Sequence, residues 1–232
     1  MAVSPIAYLD YNIKVITKVL RKYCSKQIDS YLDLGAGIGL LTSYIASIVK
    51  PKEVIIVDID RNALEIAQRK GFKTIMLDLN IDKLPLNNNS VDLVTAFELI
   101  EHLWNKDNIL EETLRILKPG GLFIVSTPNL ASLVNRLLLL MGKTPIYYSV
   151  SLKYEIEGRA SYGHISLYTA SSLRDHMSKV GFEVLEIHGL LTHYAYKNLI
   201  VKAITMLTTK LRPPLAPDIL VVARKPATHY QQ

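Results

Sequence analysis

Apolar positions along the chain follow two rhythms in alternation. Ile13, Ile16, Leu20 and Tyr23 recur at helical spacing with lysines on the other side, which predicts an amphipathic helix over residues 8–24. A short strand over 30–34 then runs into Gly35. Helical spacing returns over 39–49 and is closed by Pro51, and a β-branched run over 53–57 ends in Asp58. The same alternation predicts a helix over 62–70 stopping at Gly71, a strand over 72–77, a polar turn at 87–89, a strand over 91–96 and a helix over 105–117. Pro119, Gly120 and Gly121 are expected to break that helix, before a strand over 122–126 that Pro128 stops.

Strands alternating with helices imply right-handed βαβ units, hence an α/β fold with a doubly wound parallel sheet covered by helices on both faces. The near-continuous apolar strands fit such double burial. After residue 128 the rhythm changes. Residues 129–168 show no clear strand; a helix over 170–180, a strand over 182–187, an apolar helix over 197–211 and a strand over 219–223 follow. The two late strands suit an antiparallel edge. With no linker-like stretch and no repeat, the 232 residues read as a single domain, 1–232, in which 129–168 forms a helical and loop insertion, a lid or substrate segment.

Composition adds limits rather than detail. A hydrophobic share of 49% with 21% charged residues describes a globular chain. The formal charge of +6 comes from basic residues scattered along the sequence; solubility accounts for them, and a nucleic-acid partner is disfavoured without a dense patch. Cys24 is the sole cysteine, which rules out an internal disulfide or a thiolate metal cluster and fits a reducing compartment. With no signal-peptide pattern at the N-terminus, a cytoplasmic location is expected. The most apolar stretches, 137–141 and 199–207, are too short to span a bilayer, so the sequence predicts no transmembrane segment and leaves peripheral membrane contact open.

The candidate chemistry begins at Asp33-Leu34-Gly35-Ala36-Gly37-Ile38-Gly39, between a strand and a helix. Glycines there allow a tight turn and close ligand approach, and the helix N-terminus offers free N–H groups. Dinucleotide-binding spacing would need glycine at position 40, which is Leu40. Asp33 would also repel a pyrophosphate and favour a cofactor carrying an ammonium group. Asp58 ends the second strand at the edge where ligands of such sheets bind, placed to accept from ribose hydroxyls. Asp60, by contrast, reads as a helix cap.

D-L-G-A-G-I-G, then V-I-I-V-D-I-D, M-L-D-L-N, V-D-L-V-T-A-F-E-L-I-E-H-L and L-K-P-G-G-L-F-I-V-S-T-P-N together resemble the ordered motifs of class I S-adenosylmethionine-dependent methyltransferases over about residues 28–128, more weakly through G-H-I-S-L-Y-T. The resemblance implies a Rossmann-like seven-stranded sheet with an antiparallel last strand. It implies S-adenosylmethionine as cofactor and S-adenosylhomocysteine as product. Asp33 and Gly35 to Gly39, Ala36 and Gly37 among them, would surround the methionine part, and Asp58 would hold the ribose. Asp78 would reach the adenine amino group with Leu79 beside the ring, and Phe97 and Glu98 would lie near the sulfonium end; Ile59 would be a further cofactor contact.

Glu98, Glu101 and His102 stand at i, i+3 and i+4 and would share one face of a helical turn. Two carboxylates and an imidazole suit Mg²⁺ or another hard divalent ion. The pattern resembles the site of ubiquinone-biosynthesis O-methyltransferases, and that of small-RNA 3′-terminal 2′-O-methyltransferases, whose later histidine His164 would match. His102 is the candidate catalytic base or hydrogen-bond partner of the substrate. Within the lid, Leu130, Leu133, Val134, Leu137 and Leu138 form an apolar stripe beside Arg136, and Tyr147, Tyr148, Tyr154, Tyr162 and Tyr168 add aromatic surface. These features point to O-methylation of a small apolar, aromatic or lipid-linked acceptor. The alternatives are 2′-O-methylation of an RNA end with a divalent metal, or a cofactor-binding partner subunit without activity of its own.

Overall fold

The computed structural model describes residues 6–151, 153–155, 163–192 and 199–227. The helices are α1 (Ile6–Tyr23), α2 (Leu40–Val49), α3 (Arg61–Arg69), α4 (Lys106–Ile116), α5 (Leu133–Leu140), α6 (Ala170–Val180) and α7 (Leu199–Leu211). The strands are β1 (Ser30–Leu34), β2 (Glu53–Asp58), β3 (Lys73–Met76), β4 (Val91–Phe97), β5 (Leu117–Pro128), β6 (Glu183–Leu190) and β7 (Asp218–Arg224). Residues 197 and 198 at the start of the expected last helix, and Tyr162 of the lid, lie outside the described residues.

The strands form one sheet in the order β3-β2-β1-β4-β5-β7-β6. Its first five strands are parallel neighbours. The period of two along each strand divides the core between the faces. Leu32, Leu34 and Val94 point to one side with Leu110 of α4 and Leu173 of α6. Tyr31, Leu93 and Ile124 point to the other with Ile16 and Leu20 of α1 and Ile45 of α2. Doubly covered strands account for the continuous apolar runs seen in the sequence.

Two expectations change in detail. The antiparallel strand is β7, as the resemblance implies, but it lies inside the sheet between β5 and β6, so the edge strand is β6. The helix ends at Ile116, ahead of Pro119, Gly120 and Gly121, and these three lie within β5, which begins at Leu117 rather than at 122. A register shift against β4 between Val91 and Leu93 takes up the extra residues, and Gly120 and Gly121 exchange backbone hydrogen bonds with Lys225 beyond β7.

The segment after β5 is fastened by polar groups rather than by its leucines. Asn129, 1% exposed at the end of β5, donates through Nδ2 to the carbonyls of Pro214 (2.9 Å) and Ala216 (2.8 Å) and accepts from the Ala131 N–H (3.0 Å). Asn135, the buried residue of α5, donates back to the Asn129 carbonyl (3.1 Å) and accepts from Ile146 N–H (2.7 Å). Leu137, expected in the apolar stripe, is half exposed, and Leu139 and Leu140 are exposed beside it. Asn129→Ala removes three hydrogen bonds to backbone groups, the one to Ala216 buried and the other two part-buried, and should lower stability by about 1–3 kcal/mol, measured as a fall in the midpoint of urea unfolding with an unchanged slope.

Candidate functional site

The loop after β1 is shaped by glycines in a backbone conformation that other residues rarely adopt. Gly35, Gly37 and Gly39 have φ of 65°, 53° and 73°. A Cβ on Gly35 would sit 2.7 Å from Leu99, and one on Gly39 2.8 Å from Ile56, whereas one on Gly37 would face open space. The loop is tied down by Gly35 N–H to the Val57 carbonyl (2.8 Å) and by Lys70 Nζ to the Ile38 carbonyl (2.8 Å). Asp58, at the end of β2, accepts from Gly37 N–H through Oδ2 (2.8 Å) and from Asp60 N–H through Oδ1 (2.9 Å). Asp60 caps α3 through Asn62 and Ala63 N–H, the structural role its position implies.

Asp33 is 3% exposed and has hydroxyl donors on both oxygens: Thr42 Oγ1 at 2.5 Å and Thr95 Oγ1 at 2.6 Å, the latter also joined to the Tyr31 hydroxyl (2.9 Å). Burial pushes its pKa up to about 6; the three hydroxyls pull it down and the charge of Asp58 pushes it further up. Asp33, Gly35 and Ala36 line a cavity of about 280 Å³ that is closed on the far side by Leu41 and Phe97. Ile59 is 67% exposed beside Asp58. Asp78 accepts from the backbone and side-chain nitrogens of Asn80 (both 2.9 Å). Leu79 packs into the core and its carbonyl accepts from Asn108 (3.1 Å), which leaves Asp78 as the polar side chain at that edge.

Leu41 and Phe97 are shared with a second cavity of about 300 Å³. Its walls come from places that the sequence did not mark. Ile13 and Ile16 of α1 cover it, held by Asn12, whose side chain pairs with both the N–H and the carbonyl of Leu191 (2.9 Å each). Leu190 and Leu191, at the end of β6, close another side. Asp218, the first residue of β7, and Glu98 supply its charge. Of the lid tyrosines, Tyr147 reaches this cavity. Tyr148 and Tyr154 are exposed, and Tyr168 packs inward with its hydroxyl 2.7 Å from His176 Nδ1.

Glu98, Glu101 and His102 do not share a regular helical turn. Glu98 has a left-handed backbone, φ 50°, and only residues 100–102 form a 3₁₀ turn. Glu98 therefore turns to Ser126, whose hydroxyl donates to it at 2.6 Å. Glu101 is fully buried: Oε2 accepts from Thr127 Oγ1 (3.0 Å), and Oε1 has no hydrogen-bond partner. His102 faces away from the second cavity, its Nδ1 3.2 Å from the Gly163 carbonyl and its ring edge-on to His164 at 4.8 Å. His164 Nδ1 lies 2.9 Å from the Tyr147 carbonyl. Glu101, His102 and His164 can each offer an atom within 4.8 Å of the others, with Glu101 Oε1 4.0 Å from His102 Nε2; Glu98 is not part of this group. Burial, with repulsion from Glu101, pushes the Glu98 carboxyl up to about 8; burial, with repulsion from Glu98 and Glu101, holds Asp218 above the usual carboxylate range, and burial pushes Glu101 up to about 7.

A family model described as a methyltransferase domain matches residues 8–187. The chain belongs to the methyltransferase domain family. Its sheet has the class I, Rossmann-like arrangement. Over 98 residues it is 37% identical to a protein of Mycobacterium tuberculosis named as an S-adenosylmethionine-dependent methyltransferase, a match covering 42% of this chain and 35% of that one. The chain thus spans about a third of the length of the mycobacterial relatives it matches. It is 28% identical over 177 residues to the ubiquinone/menaquinone biosynthesis C-methyltransferase of Pseudomonas paraeruginosa, covering 68% of this chain and 67% of that one. A solved methyltransferase structure from Bacillus halodurans shares the fold, with a TM-score of 0.64 at 18% identity over 91% of this chain and 98% of that one.

In this methyltransferase-family chain the buried acids give stability a definite pH dependence. Asp33 keeps its proton up to about pH 6 when folded, against 3.8 for an ordinary carboxyl. The folded state therefore binds more protons across that window, and stability is highest below it and falls as pH rises through it. Glu98, Glu101 and Asp218 act in the same direction at higher pH. The Tm of the wild type should fall between pH 4 and 6, and Asp33→Asn should flatten that part of the profile. An equally steep profile for Asp33→Asn in differential scanning calorimetry would contradict the assignment.

Proposed function

We propose that the chain transfers the methyl group of S-adenosylmethionine to a small-molecule acceptor held in the larger cavity, leaving S-adenosylhomocysteine in the smaller one. The observation that carries this reading is the meeting of the two cavities at Leu41 and Phe97: one is built from the glycine loop and Asp33, the other from apolar walls around Glu98 and Asp218. The left-handed glycines, with open space at Gly37, fit a cofactor lying against the backbone.

The cofactor supplies an already electrophilic methyl group, so the work left to the protein is alignment and exclusion of water. Asp33, with Gly35, Ala36 and Gly37, would hold the methionine part. Asp58 uses one lone pair of each oxygen on Gly37 and Asp60 and keeps others for ribose hydroxyls; exposed Ile59 and then Asp78 with Leu79 continue the surface towards the adenine. Phe97 forms the wall between the cavities. Glu98 faces the acceptor cavity, and a raised pKa matches a base working near neutral pH. We therefore assign proton removal from an acceptor hydroxyl to Glu98, in place of His102, which points to the lid.

His102 instead joins Glu101 and His164 as proposed ligands of a divalent ion; the buried, unpartnered Glu101 Oε1 supports this. Two imidazoles and one carboxylate suit zinc or another transition metal better than Mg²⁺. The apolar wall of Ile13, Ile16, Leu41 and Leu190 supports an acceptor with an apolar or aromatic body. The exposed Leu137, Leu139, Leu140 and Met141 of the lid support a lipid-linked one presented at a membrane surface. No helix among the described residues is long and apolar enough to cross a membrane. The single cysteine supports a cytoplasmic site of action.

Titration calorimetry with S-adenosylhomocysteine tests the central claim; a folded sample that does not bind it overturns the reading. Asp58→Ala should weaken that binding by about 1–3 kcal/mol, and unchanged affinity would remove Asp58 from the ribose site. Glu98→Gln should lower kcat roughly 100-fold or more while S-adenosylhomocysteine affinity holds. Elemental analysis of the purified protein should find a transition metal that is lost in His102→Ala; a metal-free wild type after incubation with zinc would refute the ion site.

A further inference from the structure

The acceptor cavity has an unusual charge. The chain carries a formal +6 overall, yet among the described residues no lysine or arginine lines this cavity, while two carboxyl groups do, Glu98 and Asp218. Asp218 is 8% exposed, and its Oδ1 has no hydrogen-bond partner. An acid buried without a full set of donors is costly, and sheet pairing holds the Asp218 backbone in place: it pairs with Pro128 on one side and Leu190 on the other.

The remaining walls are apolar: Ile13 and Ile16 of α1, Leu41, Phe97 and Leu190. Such a cavity is matched by a molecule with an apolar body and one cationic end. A bare metal ion would find few oxygen ligands here and a large apolar surface left unfilled. An organic ammonium brings up to three donors to Asp218 and covers the apolar walls with its own carbon skeleton. We propose that the acceptor of this protein is an amine-bearing small molecule whose protonated amine docks on Asp218, with Glu98 beside it in the same cavity. The proposal rests on the larger cavity being the acceptor site of the methyl-transfer reading above.

The test uses phenethylamine and its neutral counterpart 2-phenylethanol as probes. Each is titrated calorimetrically into the full chain saturated with S-adenosylhomocysteine, with EDTA present. The amine should bind roughly tenfold or more tightly than the alcohol, as expected for one charge-assisted hydrogen-bonded pair. Asp218→Asn should abolish the preference while S-adenosylhomocysteine affinity stays as in the wild type, which also reports that the variant is folded. Asp218→Glu, which keeps the charge, should retain part of the preference. Equal affinity for the two probes, no binding of the amine at millimolar concentration, or an undiminished preference in Asp218→Asn would each overturn the proposal. Any of these in a protein that still binds S-adenosylhomocysteine leaves the methyl-transfer reading intact; loss of that binding in the wild type is the separate failure that removes the reading itself.

Discussion

The direction of β7 is the constraint on which the site depends. Were this strand parallel to its neighbours, its first residue would lie at the far edge of the sheet, away from the glycine loop. Running against β5 and β6, it delivers Asp218 to the edge where the parallel strands end. Residues 218–223 are buried, with Ile219, Val221 and Ala223 in one core and Leu220 and Val222 in the other. A strand packed on both faces cannot slip by one residue without exchanging its two sets of side chains between unlike cores. The position of one carboxyl is thus fixed by apolar packing along the whole strand. The segment just before β7 carries the same constraint outward, because Pro214 and Ala216 receive the Asn129 side chain that anchors the lid.

What the sequence made legible was whatever is encoded locally. The βαβ rhythm, the glycine loop with Asp33 and the terminal Asp58 are short-range patterns, and all stand where the pattern puts them. Asp218 and the α1 wall were illegible because their role comes from distant pairing: Asn12 meets Leu191 across 179 positions, and Ala216-Pro217-Asp218 reads as any loop entering a strand. The spacing of Glu98, Glu101 and His102 misled for a related reason. An i, i+3, i+4 pattern shares a face only in a continuous helix, and the left-handed backbone at Glu98 breaks that geometry. The leucines of the lid misled by composition: α5 is apolar, yet its buried anchor is Asn135, whose amide can satisfy a carbonyl and an N–H at once. In the same way Pro119-Gly120-Gly121 reads as a terminator, and only the pairing of β5 with both β4 and residue 225 turns it into a bulge.

The electrostatics of the ligand edge follow one choice. Asp33, Glu98 and Glu101 are each held by hydroxyl donors, Thr42 and Thr95, Ser126, and Thr127, rather than by lysine or arginine. A neutral donor steadies a carboxyl without cancelling its charge, whereas a fixed cation would occupy it and repel any cationic ligand. Elsewhere the same chain pairs its acids freely with cations, as Asp92 with Lys118 and Glu112 with Arg115. The difference is therefore not one of composition but of place. Hydroxyl-supported acids gathered at one edge of an otherwise basic protein are what a site for positively charged ligands requires. On the proposed reading both ligands are of that kind, a sulfonium cofactor in one cavity and an ammonium-bearing acceptor in the other. Burial favours the protonated form of these acids in the empty site, and a cationic ligand would draw them towards the ionised one.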